Sequence, residues 1–201
     1  MKNLAVFISG RGSNLEAILK KWSTGYIECS IPFVLSNKAD VLGLQVAKKY
    51  GIPTYVVDLK SFPSRKDFEA EILRILSFHN VDMIVLAGFM AILSRSFIDS
   101  FAKAIINIHP SLLPSFPGLN AQKRTLDYGS KFAGCTVHFV SAEVDGGPII
   151  LQDVIPLFDD DTEETLTMRI LEREHLLLPE AVKIIAEGRY QVIGRRVMIE
   201  K

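Results

Sequence analysis

The chain contains 201 residues, of which 48% are hydrophobic and 23% are charged, a composition typical of a globular protein that buries a substantial core. Its 23 Lys and Arg residues balance its 23 Asp and Glu residues, so no basic excess indicates nucleic acid and no acidic excess indicates disorder. We therefore expect any anion-binding site to be local.

Short apolar strands alternate with longer amphipathic helices in the first half of the chain. The predicted strands are Leu4–Ile8, Pro32–Ser36, Thr54–Val57, Met83–Ala87 and Ala104–Ile108. Helices are predicted between them over residues 14–22, 41–50 and 65–79, because apolar residues recur there at helical spacing. Strands and helices that alternate in this way are typical of a parallel sheet.

The second half continues the pattern. A helix is predicted over residues 120–128, strands over 135–140 and 149–155, and an edge strand pair over 189–199. A long helix is predicted over 162–187, with Asp161-x-x-Glu164 as its start signal and a break near Pro179. The whole pattern predicts an α/β fold, a doubly wound, mostly parallel sheet with helices on both faces.

The sequence contains no pattern that predicts export, membrane insertion or metal binding. Cys29 and Cys135 lie far apart and match no zinc spacing, which favours a reduced cytoplasmic protein. The opening apolar run is too short for a signal peptide, and the longest one, Met83–Leu93, is too short to span a bilayer. We predict a cytoplasmic protein without a metal, a membrane or a nucleic-acid partner.

The turn Ser9-Gly10-Arg11-Gly12-Ser13-Asn14 joins the first strand to the first helix. Glycines let the backbone approach a ligand closely, and the N–H groups of the following helix favour an anion. Leu15 replaces the third glycine of a dinucleotide fingerprint, and no P-loop Lys follows. A phosphate monoester on a small sugar therefore fits best, with an ordinary helix cap as the alternative.

Asn107-Ile108-His109-Pro110 ends an apolar strand with two polar side chains on one face. The backbone leaves the sheet at Pro110, and the carboxyl ends of such strands are where α/β proteins bind ligands. An amide steadies a developing oxyanion, and an imidazole passes protons near neutral pH. A lone His at a strand end is often only structural, so this pair alone leaves both readings open.

Taken alone, the segment Asp145-Gly146-Gly147-Pro148 predicts an ordinary turn. Beside Asn107 and His109 its carboxylate would raise the pKa of the imidazole and complete a set suited to acyl transfer to an amine. His138 lies within a predicted strand and is expected to be a packed core histidine. Glu174, on the late helix, is either a surface residue or a candidate for binding a sugar hydroxyl.

These motifs occur in an order that resembles the phosphoribosylglycinamide formyltransferase family. The matching segments are Ile8–Asn14, Ala87–Met90, Asn107–Pro114 and Asp145–Pro148, and they extend over nearly the whole chain. Folate-dependent formyltransferases as a group share the Asn-x-His and the later Asp. The Gly-Ser-Asn turn and the Pro after His109 resemble the glycinamide ribonucleotide branch.

The resemblance implies direct transfer of a formyl group from 10-formyltetrahydrofolate to the amine of glycinamide ribonucleotide in purine synthesis, through a tetrahedral intermediate. It implies one formyltransferase domain over residues 1–201, with a Rossmann-like phosphate-binding half over 1–100 and a catalytic, folate-binding half over 101–201. No metal takes part in that chemistry. The oligomeric state is left open, with a homodimer as one alternative.

The resemblance also implies a role for individual residues. Asn107 would hold the formyl oxygen, His109 would stabilise the intermediate and pass a proton, and Asp145 would keep the imidazole charged. Substrate would be bound by Gly12, Ser13 and Asn14 at its phosphate and by Glu174 at its ribose. The residues expected to contact folate are Arg65, Met90, Ala91, Ile92, Leu93, Asn107, Ala142, Glu143 and Val144.

Two positions depart from the family pattern. Ala91 stands where the family commonly has Arg, and we expect this to change folate affinity rather than abolish activity. Leu171 occupies a position near the phosphate that is often polar, so the residues that complete the phosphate site are left open.

Three alternatives remain. Formyltetrahydrofolate deformylase shares the three catalytic residues but carries an extra N-terminal domain and a His where Pro110 stands. Methionyl-tRNA formyltransferase would need a C-terminal RNA-binding domain and a basic excess. A non-catalytic sensor of a phosphorylated sugar would need the Gly-Ser-Asn turn, but not the other three residues together.

Overall fold

Parallel strands and flanking helices form the α/β structure seen in the computed structural model, which describes residues 1–200. The predicted α/β fold with a mostly parallel sheet is confirmed. The chain divides into two compact units, Met1–Ile106 and Asn107–Lys201. Within residues 1–200, no helix has both the length and the apolar character that crossing a membrane requires.

The first unit contains a parallel set of strands in the order β3-β2-β1-β4, namely β1 (Asn3–Ile8), β2 (Ser30–Ser36), β3 (Thr54–Val56) and β4 (Met83–Leu86). Its helices are α1 (Ser13–Ser23), α2 (Leu42–Lys49), α3 (Arg65–Phe78) and α4 (Arg95–Phe101). Strand β1 is fully buried from Leu4 to Ile8, which explains its unbroken apolar sequence.

Two elements of the first unit were not predicted. A 3₁₀ turn covers Leu59–Ser61, and α4 has only seven residues, too few to display a helical period. Helix α4 is nevertheless capped at its start, because the Ser94 hydroxyl accepts a hydrogen bond from the Phe97 N–H at 3.1 Å. Strand β5 (Ala104–His109) begins in the first unit and ends in the second.

The second unit combines two antiparallel strand pairs with two helices. Strands β6 (Phe132–Phe139) and β7 (Ile149–Pro156) form one pair, and β8 (Tyr190–Ile193) and β9 (Arg196–Ile199) form the other. The helices are α5 (Ala121–Tyr128) and α6 (Glu163–Glu187), and α6 packs against both β6 and β7. Strand β6 begins at Phe132, earlier than the predicted Cys135.

The predicted break near Pro179 is wrong, because α6 runs without interruption from Glu163 to Glu187. A proline inside a helix removes one backbone hydrogen bond. Leu178, Pro179 and Val182 are all buried, and the apolar contacts of this face offset that loss.

The start of α6 also differs slightly from the prediction. Thr162, one residue after Asp161, caps the helix: its hydroxyl accepts from the Thr165 N–H at 3.2 Å, and the Thr165 hydroxyl accepts from the Thr162 N–H at 2.9 Å. Asp161 supports this box by accepting a hydrogen bond from the Thr165 hydroxyl at 2.9 Å. A reciprocal pair of this kind fixes where the chain enters a helix.

Candidate active site

The predicted phosphate turn lies between β1 and α1 in the first unit. Gly12 caps α1 with a left-handed φ of 81°, and no side chain of this cap accepts a hydrogen bond from the helix. A Cβ at Gly12 would lie 2.5 Å from the Gly43 Cα, so only glycine permits this close approach. The first N–H groups of α1 therefore face a glycine turn rather than a capping side chain, as at helix ends that bind anions.

Asn14 and Ser9 shape the same turn. Asn14 is 8% exposed on the first turn of α1, and Ser13 is half-buried. The Ser9 hydroxyl donates to the side-chain amide oxygen (Oδ1) of Asn37 at 2.6 Å and accepts from the Met90 N–H at 2.7 Å. Ser9 thereby ties the phosphate turn to the start of the segment Met90–Leu93. Its position as a polar residue at the carboxyl end of β1 was the available signal for this role.

The segment Met90–Leu93 exposes apolar side chains in the first unit. Met90 is 64% exposed and Ile92 is 63% exposed, whereas Leu93 is buried. Two apolar side chains held close together at the surface suit contact with the face of a flat heterocycle. Arg65, the first residue of α3, is exposed and supplies a positive charge within the same unit.

Asn107 and His109 end β5, and the second unit places Asp145 beside them. His109 Nδ1 lies 3.3 Å from Asp145 Oδ2, and their side chains are only 7% and 12% exposed. His109 Nε2 donates to the Phe116 carbonyl oxygen at 3.0 Å. Because that oxygen can only accept, a proton taken up by the neutral imidazole goes to Nδ1, next to the carboxylate. The three predicted catalytic residues are thus brought together.

The loop that carries Asp145 is held in a conformation that needs glycine. Asp145 has a φ of 53°, which Asp tolerates better than most residues. A Cβ at Gly147 would lie 1.8 Å from the Phe139 carbonyl oxygen, so no larger residue fits there. The Gly118 N–H donates to Asp145 Oδ2 at 2.7 Å and fixes the carboxylate opposite the imidazole.

Burial changes the expected charge state of His109. Desolvation lowers the pKa of His109 below 6.5, and the hydrogen bond to Phe116 and the charge of Asp145 offset this only in part. The prediction that Asp145 makes the pKa of this imidazole higher than that of a free His is therefore wrong. The charge of Asp145 raises the pKa of His109, as predicted, but desolvation of the buried ring lowers that pKa by more.

Asp145 itself is the ionised partner. Burial raises its pKa, but the His138 side chain, the Gly118 N–H and the charge of His109 together bring the pKa below the usual value for Asp. The site therefore holds a stable carboxylate next to an imidazole that is largely neutral near pH 7. A proton that reaches His109 during a reaction is stabilised there by the charge of Asp145.

His138 is the packed core histidine that the sequence predicts, and it is also a fourth member of the cluster. It is 2% exposed on β6, as a core residue would be, yet Nε2 lies 3.3 Å from Asn107 Nδ2 and 3.6 Å from Asp145 Oδ1. His138 Nδ1 donates to the Phe139 carbonyl oxygen at 2.9 Å, and Nε2 on the other side of the ring faces the Asn107 amide. This contact orients the amide and leaves its second N–H for a ligand.

Thr136 and Gln152 hold the segment that follows His109. The Thr136 hydroxyl donates to the Ser111 carbonyl oxygen at 2.7 Å and accepts from the Leu113 N–H at 3.1 Å. Gln152 faces Thr136 across β6 and β7 and donates to the Leu113 carbonyl oxygen at 2.8 Å. The signal in the sequence was the spacing of Thr136 and His138, two polar residues that lie two positions apart and therefore on one face of an otherwise apolar strand.

The predicted folate loop, residues 142–144, lies directly before Asp145. Ala142, Glu143 and Val144 are exposed, with Val144 exposing 56% of its surface. A cavity of about 450 Å³ adjoins Glu143, Val144 and Asp145. Arg195, between β8 and β9, lines the same cavity and donates to the Gly146 carbonyl oxygen at 3.0 Å, a contact that the sequence did not predict.

Glu174 lies on α6 and is 7% exposed, whereas the neighbouring Leu171 is half-buried. Its carboxylate is close enough to the buried Cys135 to add to the effect of burial, which raises the pKa of that thiol to about 12. Cys135 is therefore an unreactive thiol. No group of three or more His, Cys, Asp or Glu side chains suited to a metal ion occurs within residues 1–200.

An ionised carboxylate, a buried imidazole and an oriented amide at the end of a strand define a proton-transfer site on an α/β protein. A family model described as formyl transferase matches residues 2–182, and the chain belongs to this family. It is 42% identical over 190 residues to phosphoribosylglycinamide formyltransferase of Escherichia coli K12, covering 94% of this chain and 90% of that protein.

Similarity extends to longer proteins and to solved structures. The chain is 48% identical over 189 residues to trifunctional purine biosynthetic protein adenosine-3 of Gallus gallus, which is 94% of this chain but only 19% of that protein. The chain therefore spans less than a fifth of this relative. Glycinamide ribonucleotide transformylase 1 of Symbiobacterium toebii superposes with a TM-score of 0.97 at 46% identity, covering 100% of this chain and 95% of that one.

Proposed function

We propose that this protein transfers the formyl group of 10-formyltetrahydrofolate to the amine of N1-(5-phosphoribosyl)glycinamide (glycinamide ribonucleotide), as a phosphoribosylglycinamide formyltransferase of de novo purine biosynthesis in the cytoplasm. The observation that carries this proposal is the buried pair of His109 and Asp145, with Nδ1 3.3 Å from Oδ2 and the Asn107 amide beside it. Acyl transfer to an amine needs a proton carrier and a donor for the oxyanion, and this cluster contains both.

The reaction begins when the substrate amine attacks the formyl carbon. The Asn107 N–H that is not directed at His138 donates to the formyl oxygen as it gains negative charge. His109, largely neutral near pH 7, takes the proton that the attacking nitrogen releases, and Asp145 stabilises the imidazolium. The proton then passes to the leaving folate nitrogen when its bond to the formyl carbon breaks, which yields the formylated amine and tetrahydrofolate.

The remaining predicted site residues have proposed roles in binding the two substrates. Gly12, Ser13 and Asn14 bind the phosphate of the substrate at the start of α1, and Glu174 accepts a hydrogen bond from its ribose. Folate contacts come from two sets of residues. They are Arg65, Met90, Ala91, Ile92 and Leu93 in the first unit and Asn107, Ala142, Glu143 and Val144 in the second.

The experiment that tests this function follows consumption of 10-formyltetrahydrofolate with and without glycinamide ribonucleotide. We expect tetrahydrofolate to form only when the ribonucleotide is present. Release of tetrahydrofolate and formate in water alone would instead identify a deformylase. Binding of the ribonucleotide without turnover would identify a sensor of a phosphorylated sugar.

Replacing Asn14 by Ala tests the phosphate assignment. Asn14 is buried beside the glycine turn, so its loss alters the surroundings of the phosphate. We expect the KM for glycinamide ribonucleotide to rise about tenfold, because one hydrogen bond to a charged group is lost. The KM for 10-formyltetrahydrofolate should stay nearly constant. Steady-state kinetics with each substrate varied in turn measures both constants. Equal increases would contradict the assignment.

Thorough chelation is expected to leave the activity unchanged. The proposed charge stabilisation comes from Asn107, His109 and Asp145, so no step needs a Lewis acid. The measurement compares the rate before and after dialysis against EDTA and then phenanthroline. A loss of activity that zinc or magnesium restores would require a different mechanism.

A further inference from the structure

Glu69 is a buried carboxylate to which the proposed reaction gives no role. It lies on α3, one turn after Arg65, and only 5% of its surface is exposed. A carboxyl group loses its hydration when it is buried, so burial is tolerated only where hydrogen-bond partners replace the water. Here Ser94 supplies two donors: its N–H donates to Glu69 Oε1 at 2.8 Å, and its hydroxyl donates to Oε2.

Ser94 is the residue at which the segment Met90–Leu93 ends and α4 begins. The backbone at the other end of this segment is fixed by the Ser9 hydroxyl, which accepts from the Met90 N–H at 2.7 Å. The segment is therefore tied at both ends to side chains of the first unit. Between these ties Met90 and Ile92 remain 64% and 63% exposed, although apolar side chains on a free loop would tend to turn inward.

We propose that Glu69 is a positioning residue for the folate-binding segment Met90–Leu93. This inference rests on the proposed function, which assigns the segment to folate. By holding Ser94, Glu69 keeps the segment in the conformation that binds the donor, so that binding costs less ordering of the backbone. Its loss should weaken donor binding and leave binding of the ribonucleotide phosphate unchanged.

The test compares three variants in steady-state kinetics. E69A should raise the KM for 10-formyltetrahydrofolate about tenfold, with the KM for glycinamide ribonucleotide and kcat within about twofold of the wild type. E69Q should raise it only about threefold, because the amide oxygen still accepts from the Ser94 N–H. E71Q is the matched control, since Glu71 lies on the same helix and pairs with Arg74 at the surface; it should change neither constant.

A second set of measurements does not depend on turnover. Hydrogen exchange of the backbone over residues 90–94 should be faster in E69A than in E71Q. Titration with tetrahydrofolate should show the same loss of affinity. If E69A does not fold, S94A and the double variant E69Q/S94A replace it, and the effects of E69Q and S94A should be less than additive because both act on one contact.

Three outcomes would overturn the proposal. They are equal changes in both KM values, an E71Q effect as large as that of E69A, and unchanged exchange over residues 90–94 in a folded E69 variant. A wild-type protein that binds folate but does not formylate the ribonucleotide would instead refute the proposed function. The exchange and titration results would still decide the role of Glu69.

Discussion

The variant D145N is expected to lose about 100-fold or more in kcat, the usual cost of removing a positioned proton-transfer group. Asp145 Oδ2 lies 3.3 Å from His109 Nδ1, and its charge opposes the effect of burial on the imidazole. Without that charge the pKa of His109 should fall further below 6.5. The imidazolium formed during transfer then lacks its partner, whereas substrate binding changes little because the interaction matters most in the transition state.

NMR titration of His109, next to steady-state rates, measures both effects of D145N. The variant should fold normally, because the Asn side chain still offers an oxygen to the Gly118 N–H. D127N is the control, since Asp127 forms only an exposed ion pair with Lys123 and should alter neither the rate nor the titration. If D145N keeps both the wild-type rate and the wild-type titration, Asp145 is only a turn residue and the mechanism is wrong.

The variant N107A is expected to reduce kcat by about 100-fold to 1,000-fold, the range found when one donor to an oxyanion is removed. Its amide contacts His138 Nε2 at 3.3 Å rather than the ring of His109. The pKa of His109 should therefore stay nearly at its wild-type value, in contrast to the result for D145N. The two variants thus separate stabilisation of the oxyanion from proton transfer.

The variant N107D is a second test of Asn107, because Asp has nearly the same shape as Asn. It keeps the volume of the side chain but replaces the donating N–H groups with an acceptor, so its kcat should fall at least as far as that of N107A. The measurement is kcat together with the KM for each substrate. A kcat within about threefold of the wild type in both variants would exclude Asn107 as the oxyanion donor.

Strong local patterns made the strands and the longer helices predictable. The unbroken apolar run of β1 and the helical spacing of Phe68 and Ile72 on α3 correspond to residues that are fully buried. Helix α4 was missed because seven residues give too few turns to show a period. The continuity of α6 at Pro179 was missed because it depends on packing of the buried face, which local sequence does not reveal.

The site could be predicted only as far as its side chains stand at strand ends and glycine turns. Asn107, His109 and Asp145 were found in this way, and the structure brings them together. His138 and Thr136 were missed because alternation along β6 does not say which face meets the loop after β5. The low pKa of His109 was missed because it depends on burial, which is a property of the folded chain.

Glu69 illustrates a further limit of the sequence. It lies three residues before Ile72 and seven before Leu76, on the buried side of α3, but its charge predicts a solvated position at the edge of that face. The structure buries it because Ser94, 25 residues later, supplies its donors. Contacts over such distances along the chain are not visible in local patterns.

Transfer of an isotopic label tests the central claim most directly. The wild-type protein is given 10-formyltetrahydrofolate labelled with ¹³C in the formyl group, together with unlabelled formate and glycinamide ribonucleotide, and the products are analysed by mass spectrometry. Direct transfer predicts that the label appears in the formylated ribonucleotide in a one-to-one ratio with tetrahydrofolate. Label recovered as free formate, with the ribonucleotide unchanged, would contradict the account.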